Sequence, residues 1–454
     1  MENIEYKYVI IDENFTLWKF PNYGILKKKK NVSLESKESF NIINKDAMLI
    51  LNLCDGQRQV KEILKQILRI NEKKNIHIIK QFFITAAEKG HIKFSDYPIK
   101  NYDADIKGTT EFFIPSHIAI EITDCCNLNC SHCYRLKWNQ THYNFINFSE
   151  LKILLENISK EGVTIIEITG GEPTIHPDFC EIVRIGIENF DIVGIITNGV
   201  YLPRFATEKF QPFKKNLFWS ISLDSHDPNY HDKFRGKRGC WANTVKNIKK
   251  LVERGFLVRV AMAVTPYNIA HMEKVAELCV QLGVKAFTYS PVLPFGRSKH
   301  LIWDLNSIQK LVDNERKVRK NFGDIIPIVN LEHLGKNEFN INCGAGWRSV
   351  VIDPKLRIRP CVVSDSEKDV IGKISPYYPK SSFEAIKDVT SVYANLEVPN
   401  KKICKDCKFL NFCIPCPLRA REIIERDLKK PTECKWISKV ENKFLKIFFK
   451  DYAL

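Results

Sequence analysis

No apolar run in the 454 residues reaches the roughly 18 that a membrane-spanning helix needs. The opening segment, MENIEYKYVIIDE, has neither the basic block nor the apolar block of a secretory signal. A membrane enzyme and a secreted disulfide scaffold are therefore set aside, and the cytoplasm is the expected location. Disulfides rarely persist in such a reducing compartment, so the 15 cysteines call for another explanation. A disordered chain is also excluded, because 44 % of the residues are hydrophobic and 27 % charged. The length leaves room for roughly two to four domains. Acidic residues are in deficit, with 53 Asp and Glu against 69 Lys and Arg and a net charge of +16. A solvated Lys-rich surface accounts for that excess, and so does an acidic partner such as nucleic acid or an acidic peptide. Charge alone does not choose between them.

The cysteines are not scattered. Cys125, Cys126, Cys130 and Cys133 form one group. Cys343, Cys361, Cys404, Cys407, Cys413, Cys416 and Cys434 form another. Clustered thiols in a reducing compartment read as metal or redox ligands. Cys54, Cys180, Cys240 and Cys279 stand apart and are expected to be small buried hydrophobes.

Periodicity divides the chain into four stretches. Residues 1–98 combine strand-like pieces (YKYVII, FTLWKF, GILKKKK) with three short helices. Among these, QVKEILKQILR places Val60, Ile63, Leu64 and Ile67 at helical spacing. This predicts a small winged-helix-like α+β unit. Residues 99–115 are polar, with few apolar anchors, and read as a linker. From 116 to 330 strands and helices alternate. HIAIEIT, VTIIEIT, DIVGIIT, NLFWSISL, FLVRVAMAV and KAFTYS are the strands, and the first following helix opens on an Asn147–Glu150 capping box. That rhythm predicts parallel βα units in a partial (β/α)6 barrel. Residues 331–454 lose the rhythm and carry the second cysteine group.

Cys126, Cys130 and Cys133 follow directly on the first barrel strand. Three thiolates on one short loop bind three irons of a [4Fe–4S] cube and leave the fourth open, whereas a structural cluster would want a fourth cysteine. A zinc knuckle is the bland alternative. The Cys-x3-Cys-x2-Cys spacing, with His132 just before the last cysteine, resembles the radical S-adenosylmethionine (SAM) enzymes. In that family SAM chelates the open iron. Other strand ends, where βα barrels keep their active sites, carry matching features. Gly170-Gly171-Glu172 resembles the family's GGE motif, whose glycines admit a ligand and whose carboxylate takes the SAM ammonium. Thr197 and Asn198 are also familiar from the family. Ser222 and Asp224 suit the ribose or the methionine end of SAM. Arg235 is a candidate partner for the SAM carboxylate, with an ordinary surface arginine as the alternative. The resemblance implies reductive cleavage of SAM to a 5′-deoxyadenosyl radical that abstracts hydrogen from an unactivated C–H bond.

The second group has seven thiols, where one zinc site takes four. Its layout resembles the SPASM extension of radical SAM enzymes, which carries one or two auxiliary [4Fe–4S] clusters. The resemblance implies one cluster on Cys404, Cys407, Cys413 and Cys434, and a second on Cys343, Cys361 and Cys416 with one iron free. Two departures stand out. The family has three residues where this chain has Ile414-Pro415, and it has a glycine where this chain has Leu356.

LILNLCDGQRQVKEIL resembles the PqqD-like peptide-recognition domains (RRE) of enzymes that modify ribosomally made peptides. There a leader peptide adds a strand to a sheet edge. Lys27 to Lys30 would suit an acidic leader. Taken together the chain resembles a radical SAM/SPASM peptide maturase of the sactisynthase type, which joins a peptide cysteine sulfur to an α-carbon, as in bacteriocin maturation. The implied partners are a ribosomal precursor peptide with its leader and an external electron donor of the flavodoxin or ferredoxin type, with no nucleic acid and no membrane. The alternatives are another linkage (a β- or γ-carbon thioether, a carbon–carbon bond or an epimerisation) and, outside enzymes, an iron–sulfur DNA-binding sensor. No general acid or base is assigned.

Overall fold

The fold follows from strands whose apolar faces demand cover. It is seen in a computed structural model that describes residues 4–29, 40–70, 75–134, 143–294, 296–330, 342–414, 416–427 and 433–440. The chain divides into two compact units, Met1–Ile114 with Lys160–Gly162, and Pro115–Ser159 with Val163–Leu454. Among the described residues no helix is long and apolar enough to cross a membrane.

The first unit holds β1 (Tyr8–Ile11), β2 (Phe15–Lys19), β3 (Tyr23–Lys28), β4 (Phe40–Asn44), α1 (Lys45–Leu51), β5 (Asp55–Gln59), α2 (Val60–Ile70), α3 (Ile76–Glu88), β6 (Ile92–Ser95) and β7 (Ile106–Gly108). They form a three-stranded sheet, β5-β1-β6, and a four-stranded one, β4-β3-β2-β7. Val60, Ile63, Leu64 and Ile67 turn one face of α2 into a shared core with Val9, Leu17, Met48 and Phe83. Asn44 and Asn75 cap α1 and α3 with their side chains.

Two expectations need correction here. Residues 99–114 are not a free linker. Ile106–Gly108 pairs in parallel with β2, Thr16 Oγ1 donates to Asp105 at 2.6 Å, and the Tyr102 hydroxyl donates to the Ile11 carbonyl. Backbone pairing and polar side-chain bonds hold the first part of the segment, Ala104 and Ile106 pack on the core of the unit, and Phe112, Phe113 and Ile114 are buried at its end. Lys27 is not part of a basic surface either. It is buried with its ammonium 5.0 Å over the Trp18 ring, and burial lowers its pKa to about 8.

The second unit alternates as follows: β8 (His117–Thr123), α4 (Phe148–Lys160), β9 (Ile165–Gly170), α5 (Phe179–Asn189), β10 (Ile192–Thr197), α6 (Ala206–Phe210), β11 (Leu217–Ser222), α7 (Pro228–Arg235), α8 (Cys240–Glu253), β12 (Leu257–Val264), α9 (Met272–Gln281), β13 (Ala286–Pro291), α10 (Leu305–Phe322) and β14 (Ile328–Asn330). Strands β8 to β13 are the six read from the sequence, all parallel and adjacent in order. The short β14 adds a seventh parallel strand at one edge. Asn147 Oδ1 accepts the Glu150 amide at 3.0 Å at the start of α4.

At the other edge the cysteine-rich region joins the same sheet. β15 (Ser349–Ile352) pairs in parallel with β8, and β16 (Arg357–Arg359) and β17 (Gly372–Lys373) extend it antiparallel. Helices α11 (Pro379–Ala385), α12 (Lys387–Ala394), α13 (Leu410–Cys413) and α14 (Pro417–Asp427) follow. In the β15–β16 turn Leu356 sits at φ +58°, the left-handed region that costs a residue with a Cβ about 1–2 kcal/mol. This is the position where the resembling family carries glycine. Asp353 holds the turn by accepting the amides of Lys355 and Arg357.

Of the isolated cysteines, Cys54, Cys240 and Cys279 are buried, whereas Cys180 is only half-buried. Cys240 differs from the other two in its company, since it packs with Leu128 and Cys130.

Candidate active site

The C-terminal ends of β8 and β9 are locked together by backbone. The Gly171 amide donates to the Thr123 carbonyl at 2.6 Å, and the Glu172 amide donates to the Cys125 carbonyl at 2.8 Å. A Cβ on Gly170 would lie 2.2 Å from the Thr123 oxygen, and one on Gly171 would lie 2.1 Å from the Cys125 oxygen. The glycine pair is thus what lets the cysteine loop seat on the neighbouring strand end. Cys125 serves this joint with its backbone, and it is not among the cavity-lining residues.

Glu172 was expected to meet a ligand ammonium. Instead its buried carboxylate is given to the protein's own loops. Oε1 accepts from the Thr174 amide and hydroxyl and from the Thr197 hydroxyl, and Oε2 accepts from the Asn198 amide at 2.8 Å. Burial raises its pKa, and these hydrogen bonds pull it back. Asn198, so positioned, donates through Nδ2 to Asn127 Oδ1 at 2.8 Å, which ties the end of β10 to the cysteine loop.

Asp224 likewise lies behind the cavity wall. Its Oδ1 accepts the Ala263 amide at 2.9 Å, and its Oδ2 accepts Arg235 Nε at 2.5 Å. Burial alone would weaken the Arg235 charge. The adjacent Asp224 carboxylate outweighs burial and holds the guanidinium above its usual pKa. Arg235 is not the surface arginine of the alternative reading: it is 7 % exposed, lines the cavity, and brings Nη1 to 3.9 Å from Cys130 Sγ. Behind it His231 accepts the Asp224 amide through Nδ1 at 3.2 Å, and burial lowers its pKa to about 4. His132 stacks on Phe234 at 4.1 Å, and burial keeps its ring neutral.

These parts surround a cavity of about 260 Å³. Cys126, Cys130, Cys133 and Arg235 line one side, and Gly170, Gly171, Thr197, Asn198 and Ser222 line another. The remaining wall was not foreseen. Ala261 and Ala263 from β12, and Ser290 to Leu293 at the end of β13, carry no chemical motif. The one signal available was the pair of alanines alternating along an otherwise bulky strand. Small residues leave room inside a barrel.

The donor set suits an iron–sulfur cube. Burial, aided by the Glu172 charge, raises the Cys126 thiol to about 12. Burial raises Cys130 to about 11 against the pull of Arg235. A multiply charged cluster is the partner that would turn these thiols into thiolates. The three thiols line one cavity.

The second cysteine group sorts into two further cavities. Cys404, Cys407, Cys413 and Cys434 line one of about 260 Å³, with Phe409 and Trp436 beside them. Cys343, Cys361 and Cys416 line a smaller one of about 50 Å³, with Pro360, Tyr393 and Leu418. Pro415, one of the two residues in the short gap, lies outside the described residues.

An open parallel barrel with three thiols on the loop after its first strand, facing a cavity at the strand ends, defines an iron–sulfur enzyme of the SAM-cleaving class. The chain belongs to the radical SAM superfamily, whose pattern matches residues 120–279. It is 31 % identical to the antilisterial bacteriocin subtilosin biosynthesis protein AlbA of Bacillus subtilis (strain 168), over 92 % of this chain and 93 % of that one. It is 26 % identical to the sporulation killing factor maturation protein SkfB of the same organism, over 57 % of this chain and 63 % of that one. The fold matches the crystal structure of Streptococcus suis SuiB bound to the precursor peptide SuiA. The TM-score is 0.63 at 16 % identity, covering 93 % of this chain and 98 % of that chain.

Proposed function

We propose that the protein is a radical SAM peptide maturase that installs sulfur-to-α-carbon thioether crosslinks in a ribosomally made precursor peptide, as in bacteriocin maturation. The observation that carries this reading is the similarity to the subtilosin biosynthesis protein along nearly the whole of both chains, not the barrel alone. Cys126, Cys130 and Cys133 would hold the SAM-binding [4Fe–4S] cluster. Cys404, Cys407, Cys413 and Cys434, and Cys343, Cys361 and Cys416, would hold auxiliary [4Fe–4S] clusters in a SPASM region after residue 330. Bound there, cluster and SAM supply a reductively generated 5′-deoxyadenosyl radical able to take hydrogen from an unactivated C–H bond.

The protein's own residues orient and exclude. Arg235 is a fixed positive charge for the SAM carboxylate, held in place by Asp224. Thr197, Asn198 and Ser222 line the cavity where the rest of the cofactor would lie. Ala263, Pro291, Val292 and Leu293 make the facing wall apolar, which keeps water from a reactive centre. The unit before the barrel would bind the leader by strand addition. A flavodoxin- or ferredoxin-type protein would supply electrons. Each crosslink removes one Cα–H and one S–H and forms one C–S bond, a two-electron oxidation: the hydrogen atom from Cα would pass to the 5′-deoxyadenosyl radical, the second electron to an auxiliary cluster and the thiol proton to solvent.

The test is anaerobic reconstitution with iron, sulfide, SAM, dithionite and each short cysteine-bearing peptide encoded beside the gene. The expected result is 5′-deoxyadenosine together with a peptide lighter by about 2 Da per crosslink, two hydrogens in the radical chemistry above. Fragmentation should place sulfur on an α-carbon. Sulfur on a β- or γ-carbon, or an unchanged mass, overturns the assignment.

A further inference from the structure

We propose that the outer face of α7 and the turn after it, carrying Lys233, Lys237 and Arg238, is the docking surface for a small acidic electron-transfer protein. The proposal rests on the reading that the three-cysteine loop holds a redox-active cluster.

The first observation is attachment. The end of α7 is pinned to the cysteine loop by backbone. The Asn129 amide donates to the Arg235 carbonyl at 3.2 Å, and the Ser131 amide donates to the Phe234 carbonyl at 3.1 Å. Gly236, at φ +68°, approaches so closely that a Cβ would lie 2.4 Å from the Asn129 oxygen. Lys237 Nζ reaches to 3.5 Å from the Asn127 carbonyl, one residue past Cys126. A protein seated on this turn is therefore separated from the thiols by a single layer of chain.

The second observation is charge. Lys233, Lys237 and Arg238 are exposed, and none makes an ion pair among the described residues. The acidic groups nearest in sequence are turned to other partners. Asp232 accepts the Gly239 and Trp241 amides and the Cys240 thiol, Asp227 caps the start of α7 at the Asn229 amide, and Asp224 faces inward to Arg235. The turn thus presents three cations in excess of the one carboxylate beside them, a positive field that steers and orients an acidic partner.

The third observation is what lies beneath. Tyr230 stacks on Phe234 at 5.8 Å, and Phe234 stacks on His132 at 4.1 Å, next in sequence to Cys133. Delocalised rings thus run from the half-exposed side of α7 to the thiols. One electron would leave the donor, which is oxidised by one, and be taken up at the three-cysteine centre. No proton moves and no bond changes.

Nucleic acid fits the surface less well, because the rings are engaged in internal stacks and are not offered as platforms for bases. The precursor peptide fits less well because none of the three cations lines the cavity.

The test uses the reconstituted full-length protein and the triple variant K233E/K237E/R238E. Purified flavodoxin and ferredoxin serve as probes, with binding measured by calorimetry at two salt concentrations. The variant should bind both at least about ten-fold more weakly, the low end of what charge steering contributes. Its salt dependence should flatten, while its dithionite-driven cleavage of SAM stays unchanged. A control variant of equal charge change on exposed lysines elsewhere, K249E/K274E/K310E, should bind like the parent. Unchanged binding in the triple variant overturns the proposal, as does equal weakening in the control. Loss of affinity for a duplex oligonucleotide or the precursor peptide, with donor binding intact, also overturns it and names the other occupant. If dithionite fails to drive SAM cleavage in the parent protein, the functional reading falls and takes the proposal with it.

Discussion

Cys125 and Cys126 are adjacent thiols with opposite uses. Cys126 faces the cavity, and its side chain is what matters there. Cys125 contributes its backbone: its amide donates to the Thr123 hydroxyl oxygen at 3.0 Å, and its carbonyl accepts the Glu172 amide. Alanine at position 126 should therefore lower the iron content of the reconstituted protein and abolish 5′-deoxyadenosine formation. Alanine at 125 should leave both near the parent level, because it changes no backbone bond. Iron analysis and SAM turnover on the two variants check this, and equal loss from both would put the register of the ligands wrong. In the sequence the three-residue gap to Cys130 singles out Cys126 and leaves Cys125 outside the pattern. The roles of Glu172 and Asp224 were not legible. A motif shows that a carboxylate is required but not which neighbour consumes it, and here both are consumed by the protein's own groups.

At the scale of elements, the joint between barrel and cysteine-rich region is the β8–β15–β16 edge. It encloses a fully buried ion pair, Arg359 with Glu121 at 2.7 Å, with Arg359 also donating to the Ser364 carbonyl at 2.8 Å. Removing one partner strands a charge in the interior, which costs about 3–5 kcal/mol, whereas replacing both with apolar residues is often near neutral. Arg359→Met should accordingly lower stability in urea by about that amount. The double variant E121L/R359M should recover most of the loss, and a double variant as unstable as the single would show that the packing, not the charge, is at stake. The helices and the six parallel strands were readable from alternation and capping. The pairing of β15 with β8 was not, because it joins residues more than 200 positions apart and a sequence window carries no register between them.

For the molecule as a whole, the unit ending at Ile114 is compact by itself, and among the described residues those lining the cavity beside the three-cysteine loop belong to the other unit. Cofactor chemistry and peptide recognition should then separate. A chain lacking residues 1–114 should still cleave SAM with dithionite but should lose conversion of a leader-bearing peptide, read as unchanged peptide mass alongside 5′-deoxyadenosine. Loss of both activities would place the first unit in the support of the barrel. Local spacing by itself determined the class of chemistry here, because three thiols on one loop, the strand–helix rhythm and the Gly-Gly pair are short-range patterns written within a few residues. Only the tertiary structure decided that Arg235 turns inward onto Cys130, that Lys27 is buried, and that residues 106–108 form a strand. Each of these depends on which surfaces meet when the sheet closes, and burial is a property of the assembled chain, not of any segment within it.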